Sequence, residues 1–394
     1  MKTASAFSVS PGAEVAANEA LDGLLSKLGA APDLLFLYTT EHHGEPVLLE
    51  AIRRRLPGVP LVGGTSCGGV MTEAGFHSGP DGALGLFGIR DEDGSYGVGA
   101  AEIGSAPHAA GAAAIQAALA AAGREFEAPT LVWCCQPPGQ EEAVLEGIQS
   151  VIGRTTPIIG GSSADEAIAG QWRQFSPQGV TCDHAVVAVL FPTTAYGAAF
   201  QSGYTPSQHS GVVTRAAERQ ILEIDHQPAA ALYCQWTDGA VNPSDQGMIL
   251  AQSTATPLGR IAAEIHGVPT FVLSHPALMG PNGEISLFTE IAVGDRIHLM
   301  HGSPNSLVKR GGAVVANACA TGGWPIDATR GGLVIYCGGC MLHVRERMDE
   351  VVQGVRDAIG QAPFLGAHTF GEQGAIMDNC NRHGNLMVSA LTFG

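Results

Sequence analysis

The sequence predicts an α/β fold of repeated βαβ units with added antiparallel strands, arranged as two halves around one ligand cleft. Residues 33–66 show an apolar strand, a small-residue loop, an amphipathic helix, a proline and a second apolar strand, and residues 130–163 repeat this order without a gap. Residues 331–372 carry a looser third copy with a slightly longer helix. The loops after the carboxyl ends of such strands meet at one edge, where ligands of open α/β sheets bind.

Short strands follow each of the first two copies. They alternate small and large apolar residues around a turn, which predicts a pair of strands in each case. The predicted pairs are 81–89 with 95–103 and 183–191 with 195–203. The duplication therefore spans about 30–103 and 127–203, and an alanine-rich stretch that begins at Pro107 predicts a helix between the two copies.

The pattern changes near Thr214, where a strand-like segment is followed by a helix that starts at Pro228. Residues 271–303 then predict antiparallel hairpins. We place a domain boundary before the change, which gives an internally duplicated domain of residues 1–212 and a second domain of residues 213–394.

Composition excludes several classes of protein. Apolar residues make up 45% and charged residues 14% of the 394 residues, which indicates a compact chain rather than a disordered one. A net charge of −17 argues against nucleic-acid binding, which requires clustered cations. The opening segment lacks an apolar core of signal-peptide length, and no run approaches 18 apolar residues. We therefore expect a soluble cytoplasmic protein without membrane insertion, whose nine cysteines are reduced thiols.

The order of the landmarks along nearly the whole chain resembles that of the FIST family. The segments that carry the resemblance are 59–69, 156–166 and 213–233 in the first half, and 293–300 and 363–374, followed by His383 and Asn385, in the second. The sequence departs from the family pattern at Cys340, where an arginine usually follows the late cysteine. The resemblance implies a FIST N-terminal domain over 1–212 and a FIST C-terminal domain over 213–394.

The resemblance also implies a function. FIST modules are bacterial sensory domains for small ligands, and the NosP branch binds haem and passes nitric-oxide responses to a histidine kinase. We therefore expect a small-molecule ligand, with haem b as one candidate cofactor. Because the sequence shows no output domain, we expect the signal to leave by contact with a histidine kinase or a cyclase/phosphodiesterase.

Cys337 and Cys340 form a Cys-Gly-Gly-Cys segment between an apolar strand and a helix. Free backbone N–H groups and the dipole at a helix N-terminus stabilise a thiolate and lower its pKa. This position suits a redox pair, half of a metal site or a nucleophile. The alternative is that both are small thiols packed at a crowded turn.

Cys67 occupies the equivalent turn of the first copy. If the repeats stack around a pseudo-symmetry axis, Cys67 and Cys337 face one cleft from opposite sides, as in two-thiol racemases. Two such thiols suit proton transfer at an acidic carbon. The alternative is an unreactive buried cysteine.

Two glycine-rich turns, 63–66 and 160–163, offer bare N–H groups and the hydroxyls of Thr65, Ser66, Ser162 and Ser163. Such turns suit a carboxylate or another small anion, although they lack the ending of a phosphate-binding loop. The alternative is a purely conformational role for the glycines.

Asp165 and Glu372 follow the second and third turns, so two carboxylates are predicted to flank the same cavity. They would bind a ligand amine or act as a base, or serve on the surface or as helix caps. His42 lies in the first loop after a strand, where a haem or metal ligand is expected. The other histidines show no firm metal pattern.

These observations support two main hypotheses. The first is a small-ligand sensor, and the second is a cysteine-dependent isomerase, racemase or hydrolase that uses Cys67 and Cys337 on an amino-acid-like substrate. Metal storage by scattered thiols is a third and weaker hypothesis. The predicted ligand-binding residues are Thr65, Ser66, Cys67, Ser162, Ser163, Asp165, Cys337, Cys340 and Glu372, and the candidate metal ligands are His42, Cys337 and Cys340.

Overall fold

The structure is a computed structural model that describes residues 1–242, 246–376 and 378–394. It contains three copies of one unit with the order strand, helix, strand, helix, strand, hairpin and strand, and the third copy has two helices instead of one between its second and third strands. A β subdomain interrupts the third copy. The mixture of helices and sheets confirms the predicted α/β class.

The first repeat shows how local sequence sets the elements. Helix α1 (Ala13–Leu28) is followed by Gly29, which has a left-handed backbone (φ 81°), and helix α2 (Pro46–Arg55) has Pro46 in its first turn. The crossover through α2 makes strands β2 (Leu34–Thr39) and β3 (Leu61–Thr65) parallel. The elements are β1 (Lys2–Ser8), α1 (Ala13–Leu28), β2 (Leu34–Thr39), α2 (Pro46–Arg55), β3 (Leu61–Thr65), β4 (Val70–Thr72), β5 (Gly75–His77) and β6 (Leu84–Arg90).

The second repeat follows the same plan, and its two helices pack very closely. A Cβ atom at Gly147 would lie 2.0 Å from the carbonyl oxygen of His108, so only glycine allows this approach. The elements are β7 (Ser95–Glu102), α3 (Pro107–Ala121), β8 (Leu131–Gln136), α4 (Glu141–Ile152), β9 (Ile158–Ser162), β10 (Gln174–Phe175), β11 (Val180–Thr181) and β12 (His184–Phe191).

The third repeat begins with β13 (Tyr196–Ser202), and the β subdomain follows it. The subdomain is one nine-stranded sheet with a hydrophobic core of its own. Its elements are β14 (Thr205–Ala217), β15 (Gln220–Ile224), β16 (Gln227–Pro228), α5 (Ala229–Trp236), β17 (Gly247–Met248), α6 (Leu250–Ser253), β18 (Leu258–Ile265), β19 (Val268–Ser274), β20 (Pro276–Met279), β21 (Ile285–Leu287) and β22 (Arg296–His301).

The third repeat then resumes and closes the chain. A capping box between Ser303 and Ser306 starts its first helix. The elements are α7 (Pro304–Gly322), β23 (Gly331–Cys337), α8 (Gly338–His343), α9 (Met348–Ile359), β24 (Phe364–Thr369), β25 (Glu372–Ala375), β26 (Asn381–Gly384) and β27 (Met387–Phe393). Among the described helices, none is both long and apolar enough to cross a membrane.

The three repeats exchange their hairpins in a ring. Each repeat builds a six-stranded sheet, and the last two strands of that sheet come from another repeat. The strand orders are β1-β6-β2-β3-β10-β11, β7-β12-β8-β9-β25-β26 and β13-β27-β23-β24-β4-β5. The predicted strand pairs are not hairpins, because β6 and β7 lie in different sheets, as do β12 and β13. The alternation of apolar residues indicates which face of a strand is buried. That face is the same whichever strand lies beside it, so the pattern does not identify the partner strand.

The three sheets pack around one central core. Phe36, Trp133 and Ile335 come from the first parallel strand of each repeat, and all three are fully buried there. The indole N–H of Trp133 donates to the hydroxyl of Tyr38 at 3.1 Å. The carboxyl ends of β3, β9 and β24 therefore converge on one rim, as the repeats predict.

Candidate functional site

Backbone hydrogen bonds tie the three turns at this rim to one another. The amide of Ala164 donates to the carbonyl of Thr65 at 2.9 Å, and the amide of Phe370 donates to the carbonyl of Ser162 at 3.2 Å. The amide of Cys67 donates to the carbonyl of His368 at 2.9 Å, which closes the ring. The structure thus brings the predicted turns together from all three repeats.

The hydroxyls of the turns are used inside the protein. Thr65 Oγ1 accepts from the amide of Arg173 at 2.9 Å, and Ser66 Oγ donates to the carbonyl of Gly69 at 2.6 Å. Ser162 Oγ donates to Glu141 Oε1 at 3.0 Å. Ser163 Oγ lies 3.3 Å from the Cys135 thiol. These four hydroxyl groups are fully buried and hold the turns in place.

The two predicted carboxylates are also buried. Asp165 Oδ2 accepts from the amides of Ala169 and Gln171, at 2.9 and 2.7 Å. Glu372 accepts from the amide of Met387 and from Thr369 Oγ1, both at 3.0 Å. Burial, reinforced by the neighbouring Cys337, raises the pKa of Glu372 well above its usual range. Burial therefore favours the protonated, neutral form of Glu372.

The three predicted cysteines lie close to one another. A Cβ atom at Gly338 would lie 3.4 Å from Cys67 Cβ, and Cys340 is close enough to Cys337 to contribute to its raised pKa. Burial raises the pKa of Cys67 to about 12 and that of Cys337 well above its usual range. The predicted lowering of the pKa of Cys337 by the helix dipole is wrong, because loss of hydration outweighs the N-terminus of a six-residue helix.

A cavity of about 580 Å³ opens beside these turns. The loop after β9, helix α8 and the turn after β24 form one side, and the β subdomain forms the other. Most of the lining is apolar, with polar groups at the floor and the mouth. The lining residues are Glu166, Ala167, Ile168, Met248, Leu250, Ala251, Gln252, Thr254, His275, Phe288, Cys337, Gly339, Leu342, His343, Phe370 and Asn385.

Of the nine predicted ligand residues, Cys337 alone belongs to the lining. The others lie in the turns behind it, and their ligand role stays a prediction. Sequence reasoning missed the wall supplied by the β subdomain. Asn385 could have been predicted as a lining residue, since it is among the residues that carry the family resemblance. Residues 248–254 carry no chemical motif that would have predicted their place in the lining.

The polar groups at the floor of the cavity are held in fixed positions. Asn385 Oδ1 accepts from the amide of His275 at 3.2 Å, and Asn385 Nδ2 donates to the carbonyl of Phe370 at 3.2 Å. The His275 ring lies 3.1 Å from the carbonyl of Leu250 through Nε2. Burial lowers the pKa of His275 to about 4, so the imidazole is neutral. This floor offers hydrogen bonds without charge.

A cluster of charged side chains lies between the second repeat and the subdomain. Arg219 Nη2 bonds Glu141 at 2.9 Å and also pairs with Glu142, and His383 Nε2 lies 3.7 Å from Glu141 Oε1. Although burial acts to raise it, the neighbouring His383 and Arg219 lower the pKa of Glu141. Within the described residues, Glu141, Glu142 and His383 are the group whose ligand atoms lie close enough together for a metal ion. The guanidinium of Arg219 already supplies the cation.

The predicted metal ligands do not form a comparable group. His42 is exposed in the short 3-10 turn before α2 (Glu41–His43), whereas Cys337 and Cys340 are buried at the start of α8. No described group of close ligand atoms contains any of the three.

Comparisons with known proteins identify the family. The FIST N domain matches residues 33–227, and the FIST C domain matches residues 229–375. Among solved structures, cyanuric acid hydrolase from A. caulinodans aligns over 99% of each chain with 10% identity and a TM-score of 0.38, which is too low to support any argument about activity. A search of curated proteins finds no match. The two matches cover both halves of the chain, and this protein belongs to the FIST family.

Proposed function

We propose that this protein is a sensor that binds an uncharged small molecule in the cavity of about 580 Å³. FIST domains are small-ligand-binding sensory domains of signal transduction. The observation that supports the proposal is the position of the cavity, which lies at the carboxyl ends of β9, β23 and β24 and is closed by the β subdomain. In open α/β folds this is where ligands bind.

The charge of the ligand follows from the floor of the cavity. The Cys337 thiol is protonated, the His275 imidazole is neutral, and burial favours the neutral acid form of Glu372 behind Cys337. A charged ligand group at this depth would lose its hydration without gaining an opposite charge. An amide, a lactam or a hydroxyl group would keep its hydrogen bonds here. Glu166 and His343, which have ionisable side chains, are exposed at the mouth.

The body of the ligand follows from the walls. Phe288, Phe370, Leu250 and Leu342 surround the polar floor. An aromatic or branched aliphatic group would bury apolar area against them, at about 25 cal/mol per Å². The polar groups would fix its orientation.

Haem does not fit this lining. His275 is bonded to the carbonyl of Leu250 through Nε2, and His343 is exposed at the end of α8. The described lining residues include no arginine or lysine to pair with the haem propionates. The raised pKa values of Cys67 and Cys337 also oppose the thiol enzyme, whose nucleophile or base would be a thiolate. The ligand-sensor hypothesis is therefore the one that we retain.

We further propose a cytoplasmic location and a signalling partner. The nine cysteines are free thiols, which suits a reducing compartment. A histidine kinase or a cyclase/phosphodiesterase is the proposed partner, reached by surface contact.

Three probes that share one ring test the charge preference. Benzamide is neutral, benzoate is an anion and benzamidine is a cation, so calorimetric titration of the full chain with each isolates the effect of charge. We expect benzamide to bind most tightly. A tighter complex with benzoate or benzamidine, or no complex with benzamide, would contradict the proposal.

Two matched variants place the probe in the cavity. Leu342 lines the mouth and is 48% exposed, whereas Ile326 is 51% exposed and is not part of the lining. Leu342→Arg is expected to weaken benzamide binding, and Ile326→Arg is expected to leave it unchanged. Equal effects of the two variants would show that benzamide binds elsewhere. Native mass spectrometry and a visible spectrum of the purified protein add a separate check, since a haem mass with a Soret band would overturn the choice of an uncharged small molecule.

A further inference from the structure

We propose that Glu141, Glu142, Arg219 and His383 form a latch that holds the β subdomain closed over the ligand cavity. The latch holds the subdomain closed in the protein without ligand. Its effect on affinity rests on the proposed function of the cavity. The subdomain is attached to the third repeat by packing and to the second repeat by charged groups.

The subdomain is attached to the third repeat by shared packing. Val272, Leu273 and Met300 of the subdomain belong to the same hydrophobic core as the third repeat. The amide of Asn385 donates to the carbonyl of Leu273 at 2.9 Å, and Arg382 Nη2 donates to the carbonyl of Ala262 at 2.8 Å. This side of the subdomain behaves as part of the third repeat.

The attachment to the second repeat is made by charged groups on α4. Arg219 lies between β14 and β15 of the subdomain and pairs with Glu141 and Glu142. The amide of Glu290 donates to Glu142 Oε1 at 2.8 Å. The side chains are little exposed, at 18% for Arg219, 1% for Glu141 and 20% for Glu142, so water screens them only in part. Such contacts can break without exposing a hydrophobic core.

Phe288 connects the latch to the cavity. Its side chain belongs to the cavity lining, and its carbonyl accepts from Arg219 Nη1. The same carbonyl lies 3.3 Å from His383 Nε2. His383 is held in turn by Gln373, whose Nε2 lies 3.2 Å from His383 Nδ1. When Arg219 leaves the cluster, the backbone at Phe288 loses a hydrogen bond and one wall of the cavity loses its support.

The second repeat also forms part of the cavity directly. Glu166, Ala167 and Ile168 line it on the side opposite the subdomain. Glu141 and Glu142 of the latch and these three residues are all carried by the second repeat, whereas Arg219 is carried by the subdomain, so the distance across the cavity depends on whether the latch is closed. A ligand that touches both sides binds the closed form better, which couples ligand affinity to the latch.

Hydrogen–deuterium exchange of the full chain without ligand tests the latch. The variants are Arg219→Met and the milder Glu142→Gln, which keeps the pair between Arg219 and Glu141. Arg215→Met is the matched control, because Arg215 pairs with Glu223 inside the subdomain. We expect faster exchange over residues 247–254 and 285–290 in both latch variants and wild-type exchange in the control.

The outcomes separate the latch from the proposed function. Wild-type exchange in a folded latch variant, or an equal rise over the whole chain, would overturn the latch, and Glu142→Gln decides the matter if Arg219→Met does not fold. Benzamide affinity is measured in parallel and is expected to fall about tenfold in Arg219→Met. If wild-type protein binds no benzamide while the local exchange still rises, the proposed ligand is wrong and the latch stands.

Discussion

Replacement of Glu372 by glutamine tests the electrostatics of the turn behind the cavity. Glu372 is fully buried, and its pKa is raised well above its usual range by burial and by the neighbouring Cys337. The native protein therefore holds this proton more tightly than the unfolded chain, which releases it above a pH of about 4.3. Unfolding in this range is favoured by rising pH, since the unfolded state binds fewer protons than the native state.

The expected magnitude follows from the release of one proton. The free energy of unfolding of wild type should fall relative to Glu372→Gln by about 1.4 kcal/mol for each pH unit between the unfolded and native pKa values. Glutamine has no such proton and keeps an acceptor for the amide of Met387, so the variant should lack this slope. Above the unfolded pKa it becomes progressively more stable than wild type.

Urea denaturation from about pH 5 to about pH 7, followed by tryptophan fluorescence, measures both proteins under the same conditions. Glu346→Gln is the control, because it makes the same replacement at an exposed position and changes the formal net charge of −17 by the same amount. Parallel pH profiles of wild type and Glu372→Gln would refute the reasoning, since they would mean that Glu372 is ionised in the native protein.

Two more predictions concern thiol reactivity and helix packing. Exposed Cys182 should react with iodoacetamide in the native protein near pH 8, whereas Cys337, which is buried and has a raised pKa, should react only after unfolding. Peptide mass spectrometry identifies the labelled cysteines. Rapid labelling of Cys337 in the native protein would support the thiol-enzyme hypothesis instead. Gly147→Ala should lower the free energy of unfolding by about 2 kcal/mol, because the added Cβ would lie 2.0 Å from the carbonyl oxygen of His108. The control Gly179→Ala, whose added Cβ would have no atom within 4 Å, should leave the stability nearly unchanged. Equal thermal stabilities of the two variants would contradict the close helix contact.

The internal repeats could be predicted because their signals are local. The apolar runs of β2 and β8 and the glycine turns after β3 and β9 report burial and backbone conformation, which depend on near neighbours in the chain. The convergence of the three turns was also expected, because the parallel strands of each repeat end at the same edge and stacking of the repeats around a pseudo-symmetry axis brings these edges together. The strand partners did not follow, since the hairpins pair with sheets of other repeats.

The sequence predicted the region in which the candidate site lies but not most of the residues that line it. Cys337 lines the cavity, but Thr65, Ser66 and Asp165 point into hydrogen bonds of the turns themselves. A residue's place in a turn is set by the sequence. Whether its side chain meets ligand or protein depends on what packs against the turn from elsewhere in the chain.

The sequence by itself determined the fold class, the repeats, the rim at which the turns meet and the resemblance to the FIST family. The tertiary structure alone decided which side chains line the cavity and in which state of charge. Both depend on the β subdomain and on the exchanged hairpins, which bury Cys337, His275 and Glu372 and remove their hydration. Burial of this kind arises between residues that are far apart in the chain, and for that reason it leaves no local pattern in the sequence.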